Sequence, residues 1–243
     1  MILSTLHGGT IALLGPFSDA FDFVTSGKEA ETGGIQVGGP TQVLDLATTQ
    51  LEVTILALAV AMALALPIGL ALGHFGRGEF LAVSIGNGGR AIPELALIAL
   101  MAAAIGVGMV NLIVALAILG IPPILTNTYV GIRQVDRSVV EAARGMGMSN
   151  LATILRVELP LAVPLVMGGI RTSAINIVAT ATIAPLAGIL TLGDFIIARN
   201  VYGDTGVLAG AVLVALMALS IEATLAVIQW WLTPKALKAR SAA

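Results

Sequence analysis

The chain has 243 residues, of which 57% are hydrophobic and only 11% are charged, with a formal net charge of −2. Soluble domains carry about 25% charged residues, so the composition indicates an integral membrane protein, and the near-neutral charge argues against a nucleic-acid partner. The lack of cysteine excludes disulfides and thiolate metal sites, and two histidines far apart in sequence give no basis for another metal site.

Residues 1–42 form a mixed segment that we expect to be a loosely structured or interfacial leader outside the cytoplasm. Its apolar beginning is too short to cross about 30 Å of hydrocarbon. A signal peptide would carry a basic region before the apolar stretch, and none is present.

Residues 43–235 are expected to form the membrane domain, with about five helices that each approach the 20 apolar residues needed to cross a bilayer. The expected spans are 51–72, 85–106, 110–129, 161–186 and 206–232. Pro67 predicts a kink in the first span, and Pro122 with Pro123 predicts a break in the third. Residues 236–243 form a short tail. The predicted fold class is an all-α integral membrane protein.

A long charged connection, residues 130–160, separates the third and fourth spans. Ser138 is a suitable N-cap, and Glu141, three residues later, would complete a capping box. A glycine turn and a second helical run follow, and Pro160 is expected to end that run. Because a simple connection needs only a few residues, the insert indicates either a docking element or an amphipathic hairpin that ties two spans together.

Lysine and arginine are more frequent in cytoplasmic loops than in outer loops. With the 130–160 connection in the cytoplasm, eight basic residues fall inside and two fall outside. Those inside are Arg77, Arg133, Arg137, Arg144, Arg156, Lys235, Lys238 and Arg240, and those outside are Lys28 and Arg199. The N-terminus is therefore expected outside and the C-terminus, with the tail, in the cytoplasm.

The same connection resembles the EAA motif of permease subunits of ABC importers, with valine where the motif usually has isoleucine. The matching residues are Glu141, Ala142, Ala143, Arg144, Gly147, Val157, Leu159 and Pro160. The resemblance implies a MetI-like permease fold, in which this connection is the cytoplasmic coupling helix that docks on an ATPase subunit.

Over residues 45–235 the chain resembles the permeases of glycine betaine, carnitine and choline importers. The resemblance lies in NTYVGIRQVDRSVVEAARGMGMS, RVELPLAVPLVMGGIRT and NGGRAIPELALIAL. It implies import of quaternary-ammonium osmoprotectants, proline betaine included, across a bacterial inner membrane. Two features depart from the group near the expected path. Glu94 stands where serine is usual, and the loop 188–195 lacks central glycines.

The resemblance also implies the partners of the chain. These are two ATPase subunits, a second permease (another copy or a paralogue), an extracytoplasmic substrate-binding protein and the lipid bilayer. The sequence has no G-x-x-x-x-G-K-[ST] phosphate loop, H-E-x-x-H motif or G-x-S-x-G elbow. We therefore expect a non-catalytic subunit without a cofactor of its own, with Mg-ATP bound by the ATPase partner.

Polar side chains inside the spans are candidates for the translocation path, because an intramembrane charge usually faces protein or water. Arg90 and Glu94 would share one helix face if the helix is continuous; alternatively, Arg90 lies at the cytoplasmic interface beside lipid headgroups. Ser173, Asn176 and Thr180 fit one face of the fourth span, with inter-helix hydrogen bonding as the alternative for each.

Two other functions stay open at this point. One is an importer permease of the same architecture for another small solute, such as an amino acid or an organic anion. The other is a secondary transporter or channel that needs no ATPase. Such transporters usually contain internal repeats with charged sites at the membrane midplane, and the sequence has no convincing repeat of this kind.

Overall fold

The computed structural model describes residues 15–76 and 79–234 and is almost entirely helical there. The helices are α1 (15–25), α2 (Gly39–Phe75), α3 (Glu79–Arg90), α4 (Glu94–Ile105), α5 (Met109–Arg133), α6 (Arg137–Gly145), α7 (Asn150–Thr153), α8 (Leu159–Thr180), α9 (Gly193–Ile197) and α10 (Arg199–Leu232). A π-helical turn, Ile154–Glu158, joins α7 to α8, and a 3₁₀ segment, Ala181–Ala187, follows α8. The predicted all-α class is confirmed.

Four helical segments of the described chain are long and apolar enough to cross a membrane. They are Gly39–Phe75, Met109–Arg133, Asn150–Ala187 and Arg199–Leu232. They contain the first, third, fourth and fifth expected spans. The first 14 residues of the leader, Arg77 and the tail lie outside the described residues.

The second expected span, 85–106, is not one continuous helix. It is divided between α3 and α4, and the chain is non-helical at 91–93. Pro93 has an extended conformation, and a proline disfavours helical geometry in the residue before it. Arg90 and Glu94 therefore lie on different helices, so the expected shared face is wrong. The side chain of Arg90 is outside the described part of the structure.

The leader is more ordered than expected over residues 15–38. Helix α1 is followed by strands β1 (Lys28–Glu29) and β2 (Gln36–Val37), which pair antiparallel. The ring of Phe23 on α1 is 1% exposed and meets the rings of Phe195 and Tyr202 edge-on, at centroid distances of 5.2 and 6.3 Å. Burial of these aromatic rings fixes the leader against α9 and the beginning of α10.

Helix α5 continues through Pro122 and Pro123, so the predicted break is absent. Both prolines are buried, and the side-chain amide of Asn127 donates to the carbonyl oxygen of Pro123 at 2.8 Å. Prolines are tolerated in membrane helices because neighbouring helices and polar side chains satisfy the backbone groups around them. Helix α2 is likewise assigned as one helix through Pro67.

Helices α2, α5 and α8 form the centre of the fold, and glycines allow them to approach closely. A Cβ on Gly69 would lie 2.8 Å from the Cβ of Thr128, and one on Gly73 would lie 2.7 Å from the Cβ of Ile132. On α8, a Cβ on Gly169 would lie 2.7 Å from the carbonyl oxygen of Pro123. Helix pairs in membranes depend on such small residues, since lipid provides little hydrophobic drive for association.

Replacing Gly73 with alanine should therefore destabilise the protein by about 1–3 kcal/mol, the usual cost of overpacking a filled contact. Gly168→Ala on α8 is the matched control, because a Cβ there meets nothing within 4 Å. That variant should be unchanged or gain up to about 1 kcal/mol from helix propensity. Unfolding of the purified protein in mixed micelles measures both, and equal stability of the two variants would contradict the close packing of α2 on α5.

Candidate functional site

The connection between α5 and α8 begins with a helix capped by a different residue from the one expected. Asp136, not Ser138, is the N-cap of α6, and its Oδ1 accepts the backbone amide of Ser138 at 2.9 Å. This hydrogen bond holds the pKa of Asp136 below its ordinary value of 3.8. The predicted capping box of Ser138 with Glu141 is therefore wrong, because the aspartate two residues earlier starts the helix sooner.

The predicted glycine turn is present after α6. Gly147 has φ of +83°, in the left-handed region that favours glycine, and nothing lies within 4 Å of the position a Cβ would take. Ser149 then caps α7, since its hydroxyl oxygen accepts the amide of Ala152 at 3.3 Å. The turn changes the direction of the chain between α6 and α7.

The second helical run does not end at Pro160, contrary to expectation. The amide of Leu159 donates to the carbonyl of Ile154, which closes a wide π-helical turn, and α8 follows directly. Pro160 directly follows this turn as the second residue of α8, and it has no N–H to donate back into the turn. Val157, Leu159 and Pro160, all half-buried, thus belong to a helical segment that runs unbroken into the membrane span.

One side of α6 packs on the protein and the other is exposed. Val140 and Ala143 are 2% and 3% exposed, and Val140 belongs to the same apolar cluster as α2, α5 and α8 residues. The exposed side continues onto α7, and we name it the α6–α7 face. It consists of Val139, Glu141, Ala142, Met146 and Leu151. An apolar surface with a central carboxylate is typical of an interaction site rather than of a solvated helix.

A buried polar contact connects this region to the end of α2. His74 Nδ1 lies 2.6 Å from Glu158 Oε2, and Arg144 Nη2 lies 3.1 Å from His74 Nε2. The side chains of His74 and Glu158 are both fully buried. Sequence reasoning considered His74 only as a metal ligand and missed this contact, because 84 residues separate it from Glu158.

Two of the predicted path residues line one cavity. The cavity has a volume of about 210 Å³ and is lined by Gly89, Glu94, Leu119, Pro122, Pro123 and Asn176. Ser173 is fully buried and donates to the carbonyl oxygen of Gly120 at 2.9 Å, the geometry of an inter-helix hydrogen bond. Thr180 is also buried. Asn176 is the exposed member of the three predicted on α8.

An ion pair joins α8 to α10 within the spans. Arg171 Nε donates to Glu222 Oε1 at 2.8 Å, the Nη2 group contacts the same oxygen, and Nη1 donates to Gln229 Oε1 at 2.9 Å. The two residues fall in the expected fourth and fifth spans, 51 residues apart in the sequence. The general rule that intramembrane charges pair was the available signal.

Comparisons with known proteins agree with this geometry. Residues 63–237 match the family described as binding-protein-dependent transport system inner membrane component. The chain belongs to this family. It is therefore a multi-pass inner-membrane component of a transport system, and the resemblance expected from the EAA motif is confirmed.

Relatives of the chain include permeases of osmoprotectant transport systems. The carnitine transport permease protein OpuCB of Listeria monocytogenes is 41% identical over 61% of this chain and 69% of that protein. The glycine betaine/carnitine/choline transport system permease protein OpuCB of Bacillus subtilis is 38% identical over 77% of this chain and 87% of that protein. Both alignments cover most of the relative's length.

Solved structures share the fold. An inward-facing form of the MetNI methionine ABC transporter matches with a TM-score of 0.70 and 20% identity, over 80% of this chain and 97% of that chain. At this level of identity the likeness concerns the fold alone. It confirms the MetI-like arrangement of helices that the coupling connection predicted.

The Arg171–Glu222 pair generates a test of how this permease holds α10 against α8. Arg171→Leu or Glu222→Leu alone leaves one charge unpaired and should lower the free energy of unfolding. Because the two side chains are 32% and 27% exposed, we expect a loss of about 1–2 kcal/mol, below the 3–5 kcal/mol typical of a fully buried pair.

The double variant R171L/E222L is the control for this pair, since removing both charges together leaves neither unpaired. Its stability should lie closer to that of the unaltered protein than either single variant does. Unfolding in mixed micelles gives all four values of the double-mutant cycle. A double variant whose loss equals the sum of the two single losses would show that the groups do not interact.

Proposed function

We propose that this chain is the permease subunit of an ATP-driven ABC importer and forms the path by which quaternary-ammonium compatible solutes cross the membrane. The solutes are glycine betaine, carnitine, choline and proline betaine, delivered by an extracytoplasmic binding protein. Permeases at 41% and 38% identity that carry carnitine, glycine betaine and choline in their names support this class of solute. The observation that carries the proposal is the α6–α7 face.

The α6–α7 face has the properties that a docking surface for an ATPase requires. Met146 and Leu151 are 78% and 65% exposed, which is costly for apolar side chains unless a partner covers them. Glu141 is exposed beside them, while Val140 and Ala143 hold the same helix on the membrane domain. A partner that binds this face therefore pushes on a helix already attached to the spans.

Force from the ATPase would reach the membrane through continuous helix. The segment from α7 through the π-helical turn to α8 has no break, so a displacement at Asn150 moves the beginning of the fourth span. Closure of the two ATPase subunits on ATP would displace both copies of this segment in a permease dimer. The spans would then rock and open the path toward the binding protein.

The remaining assignments follow from this role. The permease pairs with a second copy or a paralogue, two ATPase subunits bind Mg-ATP and hydrolyse it, and the chain itself is non-catalytic and needs no cofactor. The connection 130–160 and the C-terminus lie in the cytoplasm and the N-terminus lies outside. The excess of lysine and arginine on the proposed inner side supports this orientation.

The cavity at Glu94 and Asn176 is the proposed part of the path. A carboxylate and an amide at one cavity offer a negative charge and a hydrogen-bonding group to a small cationic or zwitterionic solute. Prolines and leucine complete its wall and suit methyl groups of a quaternary ammonium. Ser173 and Thr180 would support this wall from within the helix packing, and Arg90 is the further candidate at the end of α3.

The coupling role predicts that Glu141→Ala and Gly147→Ala insert and assemble normally but lose stimulation of ATP hydrolysis by the loaded binding protein. The Gly147 substitution strains a backbone at φ +83° and shifts α6 relative to α7. We expect stimulated hydrolysis and uptake to fall about tenfold, the effect of one interface contact worth about 1.4 kcal/mol.

Gln134→Ala is the matched control, because this residue is exposed at the end of α5 near the same connection but outside the α6–α7 face. It should leave hydrolysis and uptake unchanged. The measurement uses the reconstituted transporter in liposomes with its binding protein. Normal uptake and normal stimulation in both Glu141→Ala and Gly147→Ala would refute the coupling assignment.

The path assignment predicts that Asn176→Ala reduces uptake of choline and glycine betaine at low solute concentration by about fivefold, the factor for one lost hydrogen bond of about 1 kcal/mol. Basal ATP hydrolysis should not change. Thr172→Ala, one helical turn earlier on α8, is the control, because Thr172 is exposed and its hydroxyl bonds only the carbonyl of Gly168.

Identical uptake by the Asn176→Ala and Thr172→Ala variants would remove Asn176 from the path. Labelled methionine in the same liposomes tests the solute class. Uptake of methionine without uptake of any quaternary ammonium compound would keep the coupling mechanism and overturn the proposed solutes.

A further inference from the structure

Contacts among three side chains join the end of α2 to α6 and to the π-helical turn before α8. His74 is the penultimate residue of α2, Arg144 lies in the last turn of α6, and Glu158 closes the π-helical turn before α8. The atoms are 2.6 Å apart from histidine to glutamate and 3.1 Å apart from arginine to histidine. One imidazole therefore joins the end of α2 to both α6 and the π-helical turn.

The hydrogen-bonding capacity of the groups determines the direction of these contacts. A guanidinium can only donate, so Nε2 of His74 must accept from Arg144 and cannot carry a hydrogen. The hydrogen of the neutral ring is then on Nδ1, from which it is donated to Glu158. Arg144, His74 and Glu158 thus form a directed series from a cation to a carboxylate, and each contact depends on the same tautomer.

The hydrogen bonds of His74 lie in closely packed, buried surroundings, whereas the covalent link from α6 to α7 passes through a flexible turn. Helix α6 is joined to α7 through the glycine turn at Gly147, a position of high backbone freedom. The last turn of α2, by contrast, packs closely on α5 at Gly73 and Ile132. Glu158 and His74 are both fully buried, so water does not compete for their hydrogen bond. π-Helical turns such as the one that carries Glu158 are frequent at functional sites.

We propose that His74 is a positioning residue for transport: it transmits displacement of α6 to α2 and to the beginning of α8 through Arg144 and Glu158. The inference rests on the proposed function, since it gives α6 a polar link to α2 in addition to the packing of Val140 and the α7–α8 helix. Loss of the imidazole contacts should leave an ATPase able to bind α6 and hydrolyse ATP, with less of that movement reaching α2.

Two substitutions of His74 distinguish the effect of losing its hydrogen bonds from the effect of losing its packing, and a third removes the acceptor at Glu158. His74→Gln provides an amide donor and an amide acceptor at nearly the spacing of the ring nitrogens, so it can serve Glu158 and Arg144 together. His74→Leu fills similar space and offers neither. Glu158→Met removes the acceptor at the other end of the series while keeping the side-chain length.

The experiment measures the solute molecules taken up per ATP hydrolysed by the complete transporter in liposomes, with labelled choline and glycine betaine as probes. We expect this ratio to fall about tenfold in His74→Leu, toward the low end of typical coupling effects, and to stay within about twofold of the unaltered protein in His74→Gln. Glu158→Met should behave as His74→Leu does, and it replaces that variant if His74→Leu does not assemble.

An unchanged ratio in both His74→Leu and Glu158→Met overturns the inference, whether uptake and hydrolysis are both normal or fall in proportion. Equal losses of the ratio in His74→Gln and His74→Leu also overturn it, because donor and acceptor groups would then not matter. Absence of ATP-dependent choline and glycine betaine uptake by the unaltered transporter refutes the proposed function instead.

A second readout does not depend on the solute. The chain contains no cysteine, so spin labels can be placed at two exposed positions outside the α6–α7 face, Ile68 on α2 and Ser138 on α6. We expect the distance distribution between them to stay the same with and without ATP in the complex of the unaltered sequence and to differ in the His74→Leu complex. Distributions that respond to ATP identically in both complexes overturn the proposed link.

Discussion

The close contact among α2, α5 and α8 is the constraint on which the rest of this permease depends. Lipid provides no hydrophobic drive for the pairing of helices, so the spans are held together by close packing and by inter-helix hydrogen bonds. At Gly69, Gly73 and Gly169 the neighbouring helix occupies the space that a Cβ would need. Helix α5 remains continuous through two adjacent prolines, both of which are buried.

Two contacts between ionisable side chains lie at the borders of this centre. The His74–Glu158 contact lies at one end, where α2 stops and the coupling connection enters. The Arg171–Glu222 pair lies on the side where α10 joins α8. Each pair connects segments that the glycine contacts do not reach. Charged side chains therefore help to attach the peripheral segments, while the central helices are held by close packing together with hydrogen bonds such as Ser173 to Gly120.

The predictions that succeeded concern local chemistry. The length of the apolar runs identified four membrane helices, and the glycines of the 130–160 connection identified its turn. The errors came from applying local sequence rules at positions where packing against neighbouring helices determines the backbone conformation. Proline rules predicted a break in α5 and an end at Pro160, but packing and a π-helical turn kept both helices continuous. At 91–93 the proline did end the helix, and the expected Arg90–Glu94 face was lost with it.

The sequence by itself determined the class of protein, the family and the position of the charged connection between the third and fourth spans, because composition and motif spacing are properties of consecutive residues. Only the tertiary structure decided which distant side chains meet. His74 and Glu158 are 84 residues apart, and Arg171 and Glu222 are 51 apart. The sequence around each of these four residues does not indicate which residue it contacts. The His74–Glu158 contact depends on the close packing of α2, α5 and α8 at small residues, and the Arg171–Glu222 contact depends on the packing of α10 on α8. Both arrangements are visible only when the whole chain is packed.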